Sequence, residues 1–257
     1  MIDNFEIVEG KLKKCRTLSK ICIVPEGVTE IAPAAFEGAI CEKIILPESL
    51  TNIDRQAFVY CNYLEEIVLP KNLVNIGEYA FMYCKNLKSI SLPDSVVVLG
   101  RGAFYDCTSL TNVNLGKVEN IYGMTFYNCL KLKTLESKYV KHLFEDALAN
   151  TSKLVSIDFP KVEQIEHAAI DATSLTELIL PDSLNFISTY FFSEQPKVPG
   201  FKIRLSRFEA EKLFQTCDVF MHDFLSYFAP IQHTLDELIE EGKSLENINK
   251  ILIESER

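Results

Sequence analysis

Several things that this chain of 257 residues lacks narrow its fold and function at once. It has no tryptophan and only four histidines, and no apolar run approaches the length of about 18 residues that a membrane-spanning helix needs. Basic residues are also scarce, with 26 Lys and Arg against 36 Asp and Glu and a net charge of −10. A partner that is a nucleic acid or an anionic membrane surface requires basic stripes, so both are disfavoured.

The first twenty residues lack the apolar segment and small-residue cleavage site of a secretory signal. A cytoplasmic protein with reduced thiols is therefore the expectation. The alternative is a cell-surface or secreted protein whose upstream signal was removed.

Catalytic motifs are missing as well. There is no H-E-x-x-H, G-x-S-x-G or phosphate-binding glycine loop, and no two histidines lie four residues apart. The sequence therefore predicts no catalytic residue, no metal site and no cofactor. The alternative is an enzyme with a site where the repeats meet the C-terminal segment.

The chain does contain a repeat. A short element, Ile-x-Leu-Pro in its regular form, recurs along the chain. Its leucine is found at Leu46, Leu69, Leu92 and Leu115, at intervals of about 23 residues, and the element continues in weaker form at intervals of about 22. A fixed period of 20 to 29 residues is typical of a leucine-rich solenoid. We call a set of residues at equivalent repeat positions a column.

Two further columns keep the same period. One holds a large apolar residue and the other, in four successive repeats, a cysteine. Their members are Phe36, Phe58, Phe81, Phe104, Phe126, Leu148, Ile170 and Phe192 for the first, and Cys61, Cys84, Cys107 and Cys129 for the second. No single repeat can bury its apolar residues alone, so the repeats must stack into one core. The small residue before each large one, such as Ala57, suggests a tight helical turn packed against its neighbour.

The string IVLPKNLVNIGEYAFMYCKNLKSI, which begins at Ile67, resembles the BspA-type leucine-rich repeat, as does the chain from about 20 to 193. The resemblance implies an α/β fold: a right-handed solenoid of about eight coils of 21–23 residues with short parallel strands. Family members are mostly binding or adhesion proteins, and no shared catalytic motif carries over. The coils over 135–193 depart from the pattern, and proline is missing after Leu115 and Ser137, so the curvature is expected to be less regular there.

Three parts of the chain follow from this reading. Residues 1–20 are expected to form a capping hairpin and 21–193 the solenoid. Residues 194–257 are expected to supply a last strand at 202–205 and then amphipathic helices with capping boxes. These helices form either a cap on the last coil or a small interaction module.

The four cysteines of one column should lie in a row inside the solenoid. We interpret them as buried thiols that act as small apolar residues. Disulfide pairing in an oxidising setting and metal binding remain alternatives, although a straight row does not supply tetrahedral ligands.

The binding surface is expected on the outward residues of the Ile-x-Leu strands, because side chains alternate along a strand. The candidate site consists of Val68, Ser91, Asn114, Glu136 and Asp158. The leading hypothesis is a non-enzymatic scaffold that binds a protein or peptide, with a glycan as a further class. An adhesion or host-interaction protein is the alternative, and the repeat predicts no oligomeric state.

Overall fold

A computed structural model describes residues 5–188 and 202–205. The expected large residue at position 192 and the helices expected after 205 lie outside these residues. In the described part the chain winds through eight coils, and each coil contributes two short strands and a turn. The predicted parallel-strand solenoid of about eight coils is thereby confirmed.

The first strand of each coil corresponds to the Ile-x-Leu element. These strands are β3 (Ile21–Ile23), β5 (Lys43–Ile45), β7 (Glu66–Val68), β9 (Ser89–Ser91), β11 (Asn112–Asn114), β13 (Thr134–Glu136), β15 (Ser156–Asp158) and β17 (Glu177–Leu180). Each is short because the residues after it turn the chain, in most coils through a proline that has no N–H for the ladder.

The second strand of each coil has only two residues. These strands are β4 (Glu30–Ile31), β6 (Asn52–Ile53), β8 (Asn75–Ile76), β10 (Val98–Leu99), β12 (Asn120–Ile121), β14 (His142–Leu143), β16 (Gln164–Ile165) and β18 (Phe186–Ile187). Equivalent strands of successive coils pair in parallel with equivalent residues opposite one another, as Asn52 with Asn75 and Ile53 with Ile76.

An antiparallel hairpin precedes the first coil. It consists of β1 (Phe5–Val8) and β2 (Lys11–Cys15), and β2 also pairs in parallel with β4. At the other end β19 (Lys202–Leu205) pairs in parallel with β17. Strand β2 therefore extends the ladder of second strands at one end of the solenoid, and β19 extends the pairing of first strands at the other.

The turns after the second strands β4 to β16 are not helical, which corrects the expectation from the sequence. No helix occurs within 5–188 or 202–205, so the α component of the predicted α/β class has no member there. Two residues per turn have positive φ, such as Gln56 at 55° and Tyr60 at 59°. A left-handed residue interrupts a right-handed helix, and for a side chain other than glycine it costs about 1–2 kcal/mol.

Hydrogen bonds between coils offset this cost. The N–H groups of Gln56, Phe58 and Tyr60 donate to carbonyls of the following coil, at 2.8–3.0 Å. The intervening N–H groups of Ala57 and Val59 donate within their own coil. The turns thus form a third ladder along the solenoid, which satisfies the backbone without a helix.

The core is one continuous cluster of buried side chains, formed by several columns that lie side by side. Five stacked phenylalanines run through it, with ring centroids 4.8–5.5 Å apart between successive coils: Phe36, Phe58, Phe81, Phe104 and Phe126. All five are fully buried, as are the Leu148 and Ile170 that replace phenylalanine later. Stacking of like residues on like is what the repeat predicts.

Candidate functional site: the first-strand face

We call the outward surface of the first strands the first-strand face. Its main column is the middle residue of Ile-x-Leu, and this column changes character along the solenoid. The residues are Ile23, Ile45, Val68, Ser91, Asn114, Glu136, Asp158 and Ile179. The side chains are apolar at the first three coils, then hydroxyl and amide, then acidic, and apolar again at Ile179.

All five residues of the sequence-predicted site lie exposed on this face. The structure brings four of them together. Ser91, Asn114 and Glu136 line a shallow depression of about 470 Å³. Asn114, Glu136 and Asp158 line a second depression of about 500 Å³. Val68, 42% exposed, lines neither depression and belongs to the apolar end of the face.

The first-strand sheet consists of separate short ladders: within the described residues no ladder joins β7 to β9, β11 to β13 or β15 to β17. The depressions lie at the break between β11 and β13, where β9 pairs with β11 and β13 pairs with β15. The inward residues Val113 and Ile157 of this region are only partly buried. The interruption therefore leaves polar side chains and backbone around an open surface.

The local sequence also departs from the repeat at the break between β11 and β13. In the position of the proline that follows other first strands, these two coils have Gly116 and Lys138. Gly116 adopts φ +54°, and a Cβ there would lie 2.8 Å from the carbonyl oxygen of Leu92. The glycine thus permits a left-handed turn close to the preceding coil, which a proline could not adopt.

Hydrogen bonds hold the amide of Asn114 in place. Its Nδ2 donates to Ser91 Oγ at 3.2 Å, and its Oδ1 accepts from the N–H of Gly116 at 3.0 Å. The Asn114 amide is therefore oriented by both its own turn and the preceding coil, before any ligand arrives.

The two carboxylates of the site lack the lysine partners that several other carboxylates of the described solenoid have. Lysines of adjacent coils pair with Glu66, Asp94 and Glu119 at 2.7–3.1 Å. Glu136 and Asp158 are directly opposite each other in the β13–β15 ladder, and neither forms an ion pair with a described residue. Like charges opposite each other in a ladder are destabilising, so this pair attracts a cationic or hydrogen-bond-donating ligand group.

The four column cysteines are buried and their thiols have a defined role. Cys61, Cys84, Cys107 and Cys129 each donate from Sγ to the carbonyl of the phenylalanine in the preceding coil, at 3.0–3.2 Å. Burial raises the pKa of Cys84, Cys107 and Cys129. A thiol that stays protonated is a poor nucleophile and a poor metal ligand. The thiols therefore do more than fill space, because they satisfy a carbonyl.

The described residues contain neither a cluster of metal ligands nor a membrane-spanning helix. Across 5–188 and 202–205, no three His, Cys, Asp or Glu residues are grouped closely enough to hold a metal ion. Nor does the described portion of the chain contain a helix long and apolar enough to cross a membrane.

Two surface features lie outside the set of candidate site residues chosen from the sequence. The first is a second column on the first-strand face, two residues before the main one, which adds Ser89, Asn112 and Thr134 to the first depression. The alternation of side chains along each strand was the signal that could have found this column. The second is a stack of tyrosine rings on the turn side, where Tyr60 and Tyr83 are 4.9 Å apart and Tyr105 and Tyr127 are 5.1 Å apart. Tyrosine one or two residues after the column phenylalanine was its signal.

The comparisons with known proteins agree with this architecture. The sequence model of one protein family, the BspA type leucine rich repeat region, matches residues 4–96 and 74–198 in six copies. The chain therefore belongs to this family. No protein with a curated description matches the chain.

Solved structures of bacterial leucine-rich repeat proteins have the same fold. A protein from T. pallidum is 23% identical with a TM-score of 0.60, and the match covers 84% of this chain and 94% of that one. A protein from Bacteroides ovatus is 24% identical with a TM-score of 0.56, covering 80% and 66%. A leucine rich cell surface protein from Faecalibacterium prausnitzii is 19% identical with a TM-score of 0.53, covering 79% and 52%. The chain thus spans about two thirds and about half of the last two proteins.

Proposed function

We propose that this chain is a non-enzymatic scaffold that binds a segment of a partner protein on the first-strand face, at β9 to β15. The observation that carries the proposal is the pair of adjoining depressions, which share Asn114 and Glu136. Leucine-rich repeat proteins generally bind proteins, and solenoids use extended sheet surfaces for this purpose.

The chemistry of the face supports a polar partner with a basic group. Hydroxyl and amide side chains line the first depression, and the opposed carboxylates Glu136 and Asp158 lie at the second. A lysine or arginine of the partner placed between these carboxylates would relieve their repulsion. Apolar side chains of the partner would lie toward Val68 and Ile23, which are 42% and 59% exposed.

A crosslinking pull-down with three forms of the protein tests the proposal. The face variant carries Ser91→Arg, Asn114→Arg and Asp158→Arg. The control variant carries Asn62→Arg, Ser152→Arg and Glu37→Arg, which are exposed residues of the turns and change the net charge by the same amount. Circular dichroism checks that all three forms fold.

A partner captured by the wild type and the control, and lost in the face variant, is the expected result. Retention by the face variant would move the site away from β9–β15. A glycan array probed with the same three forms tests the second ligand class, which the hydroxyl and amide lining also suits. Binding of a glycan that depends on the face, without a protein partner, would replace the protein ligand in the proposal.

A role at the cell surface is the second candidate function. The observation that favours it is the relative from F. prausnitzii, which is described as a leucine rich cell surface protein. Fractionation of the source cells, with surface labelling by a membrane-impermeant reagent, tests it. Labelled protein in the surface fraction supports this role, whereas protein confined to the cytosol contradicts it.

A further inference from the structure

The first layer of the core is built differently from the layers that follow. The N–H of Cys15, the last residue of β2, donates to the carbonyl of Ala35 at 2.8 Å. In the next coil the equivalent bond runs from Phe36 to Ala57, also at 2.8 Å. Cys15 therefore occupies the phenylalanine position of the capping layer, with a much smaller side chain.

Cys22 lies next to Cys15 in the core. It is the middle residue of β3, lies opposite Ile44 in the ladder and points into the core. Cys22 is 0% exposed and Cys15 is 7% exposed. Their sulfur atoms are 3.9 Å apart.

The sulfur–sulfur contact is the observation that carries the inference. The thiols of Cys61, Cys84, Cys107 and Cys129 each donate to a backbone carbonyl. Between Cys15 and Cys22, either thiol can donate to the sulfur of the other. A disulfide has sulfurs about 2.05 Å apart, so these two sulfurs need to approach each other by about 1.9 Å.

We propose that Cys15 and Cys22 form a disulfide when the chain folds in the presence of a low-molecular-weight disulfide such as oxidised glutathione. The thiolate of one cysteine attacks oxidised glutathione and releases one glutathione thiolate. The thiolate of the other then attacks the mixed disulfide and releases the second glutathione. Two protein thiols are thereby oxidised, and one oxidised glutathione is reduced to two thiols.

The bond would link the capping hairpin to the first coil. Strand β2 covers the end of the core through its pairing with β4, and β3 begins the first-strand face. With Cys15 joined to Cys22, β2 and β3 cannot separate, so the cap and the first coil must open together. An oxidising compartment would thus reinforce the exposed end of the solenoid, where a terminal layer is most prone to open.

Peptide mapping of the full chain gives a direct test. The protein is unfolded, refolded with reduced and oxidised glutathione, alkylated, and cut with trypsin and an endoproteinase specific for glutamate. Cleavage after Lys14, Arg16, Lys20 and Glu26 places Cys15 in the dipeptide 15–16 and Cys22 in the peptide 21–26. The expected product is these two peptides joined by a bond that a reducing agent breaks.

Two variants accompany the wild type. Cys22→Ser removes the proposed bond, whereas Cys84→Ser removes a column thiol and leaves the pair intact. Oxidised wild type and oxidised Cys84→Ser are each expected to unfold several degrees above their reduced forms. Oxidised and reduced Cys22→Ser are expected to unfold at the same temperature.

Three results would overturn the proposal. They are full alkylation of Cys15 and Cys22 in refolded protein, a crosslink from Cys15 to Cys41 instead of Cys22, and crosslinks confined to the column cysteines. If Cys22→Ser does not fold, the peptide map of the wild type still decides between these results and the proposed bond.

Discussion

The four coils over 21–107 and the coils over 112–188 are built from one repeat, yet several of the later coils depart from it. The early coils keep phenylalanine and proline in their columns, and stacked rings run through their core. The later coils replace phenylalanine by Leu148 and Ile170 and lose proline after Leu115 and Ser137. The interruption between β11 and β13 and both depressions fall in or beside these later coils.

Regularity and local surface chemistry are therefore in competition. A strict repeat places like residues next to like in successive coils. A departure from the repeat loses ring stacking but gives the surface a recess with its own chemistry. Residues that depart from the local pattern are where function is expected to lie. Four measurements test the contrast between the early and the later coils.

The largest expected effect is on the phenylalanine stack. Phe81→Ala should destabilise the protein by about 3–5 kcal/mol, because it leaves a cavity and removes ring contacts at 4.9 and 5.4 Å. Leu148→Ala, equally buried in a later coil, should cost less, since no ring stacking is lost. Urea denaturation followed by circular dichroism measures both. The exposed Tyr63→Ala is the control, and a larger loss for Leu148→Ala would contradict the comparison.

The second effect concerns close approach of the backbone in the early coils. A Cβ at Gly100 would lie 2.5 Å from the amide nitrogen of Glu78 and from the carbonyl carbon of Gly77. Gly100→Ala should therefore cost about 1–3 kcal/mol through overpacking. The matched control is Gly38→Asn, where nothing lies within 4 Å and φ is +66°, because asparagine tolerates that conformation. Equal melting temperatures for the two variants would show that the coils can move apart there.

The third effect is a loss of stability in alkali. The folded-state pKa of the Cys107 thiol is raised above its ordinary value of 9.0, because burial disfavours the thiolate. The unfolded chain therefore releases this proton first, and the stability contributed by the protonated thiol is lost as pH rises above about 9. The expected slope is about 1.4 kcal/mol per pH unit for each such thiol.

Cys107→Ala tests this slope. Free energies of unfolding measured between pH 8 and pH 10 should fall less steeply for the variant than for the wild type. Thr151→Ala, which changes a hydroxyl in the same column, should leave the slope unchanged. Parallel pH profiles for the wild type and Cys107→Ala would mean that the thiol ionises as readily in the folded protein as in the unfolded chain.

The smallest effects have opposite signs in the two regions. Lys43→Met removes an exposed ion pair of 2.7 Å with Glu66 and should cost less than about 1 kcal/mol, with no cost in 1 M salt. Asp158→Asn removes one of two like charges in register with each other and should stabilise by a few tenths of a kcal/mol at low salt. Thermal unfolding at two salt concentrations measures both. Destabilisation by Asp158→Asn would show that this carboxylate supports the fold instead of a ligand.

Much of the fold was predictable because the same pattern of apolar, small and turn residues recurs about eight times in the chain. The column residues Ile44, Leu50 and Phe58 are all fully buried, as their spacing predicts. The outward column was equally predictable, since alternation along a strand follows from backbone geometry. The prediction of a helical turn was wrong, because the sequence of Gln56 to Tyr60 does not show that two of its residues adopt positive φ. That conformation is selected by hydrogen bonds to the next coil, which a single repeat does not contain.

The period, the number of coils, the buried columns and the exposed face could all be read from the chain, because they follow from residue spacing and from the need to bury apolar surface. The folded structure was needed to show where the first-strand sheet breaks, which four of the five predicted residues line the two adjoining depressions, and which two cysteines touch. These features depend on how adjacent coils shift relative to each other. That shift is a balance of ladder bonds and packing between coils, which no position in the chain encodes alone.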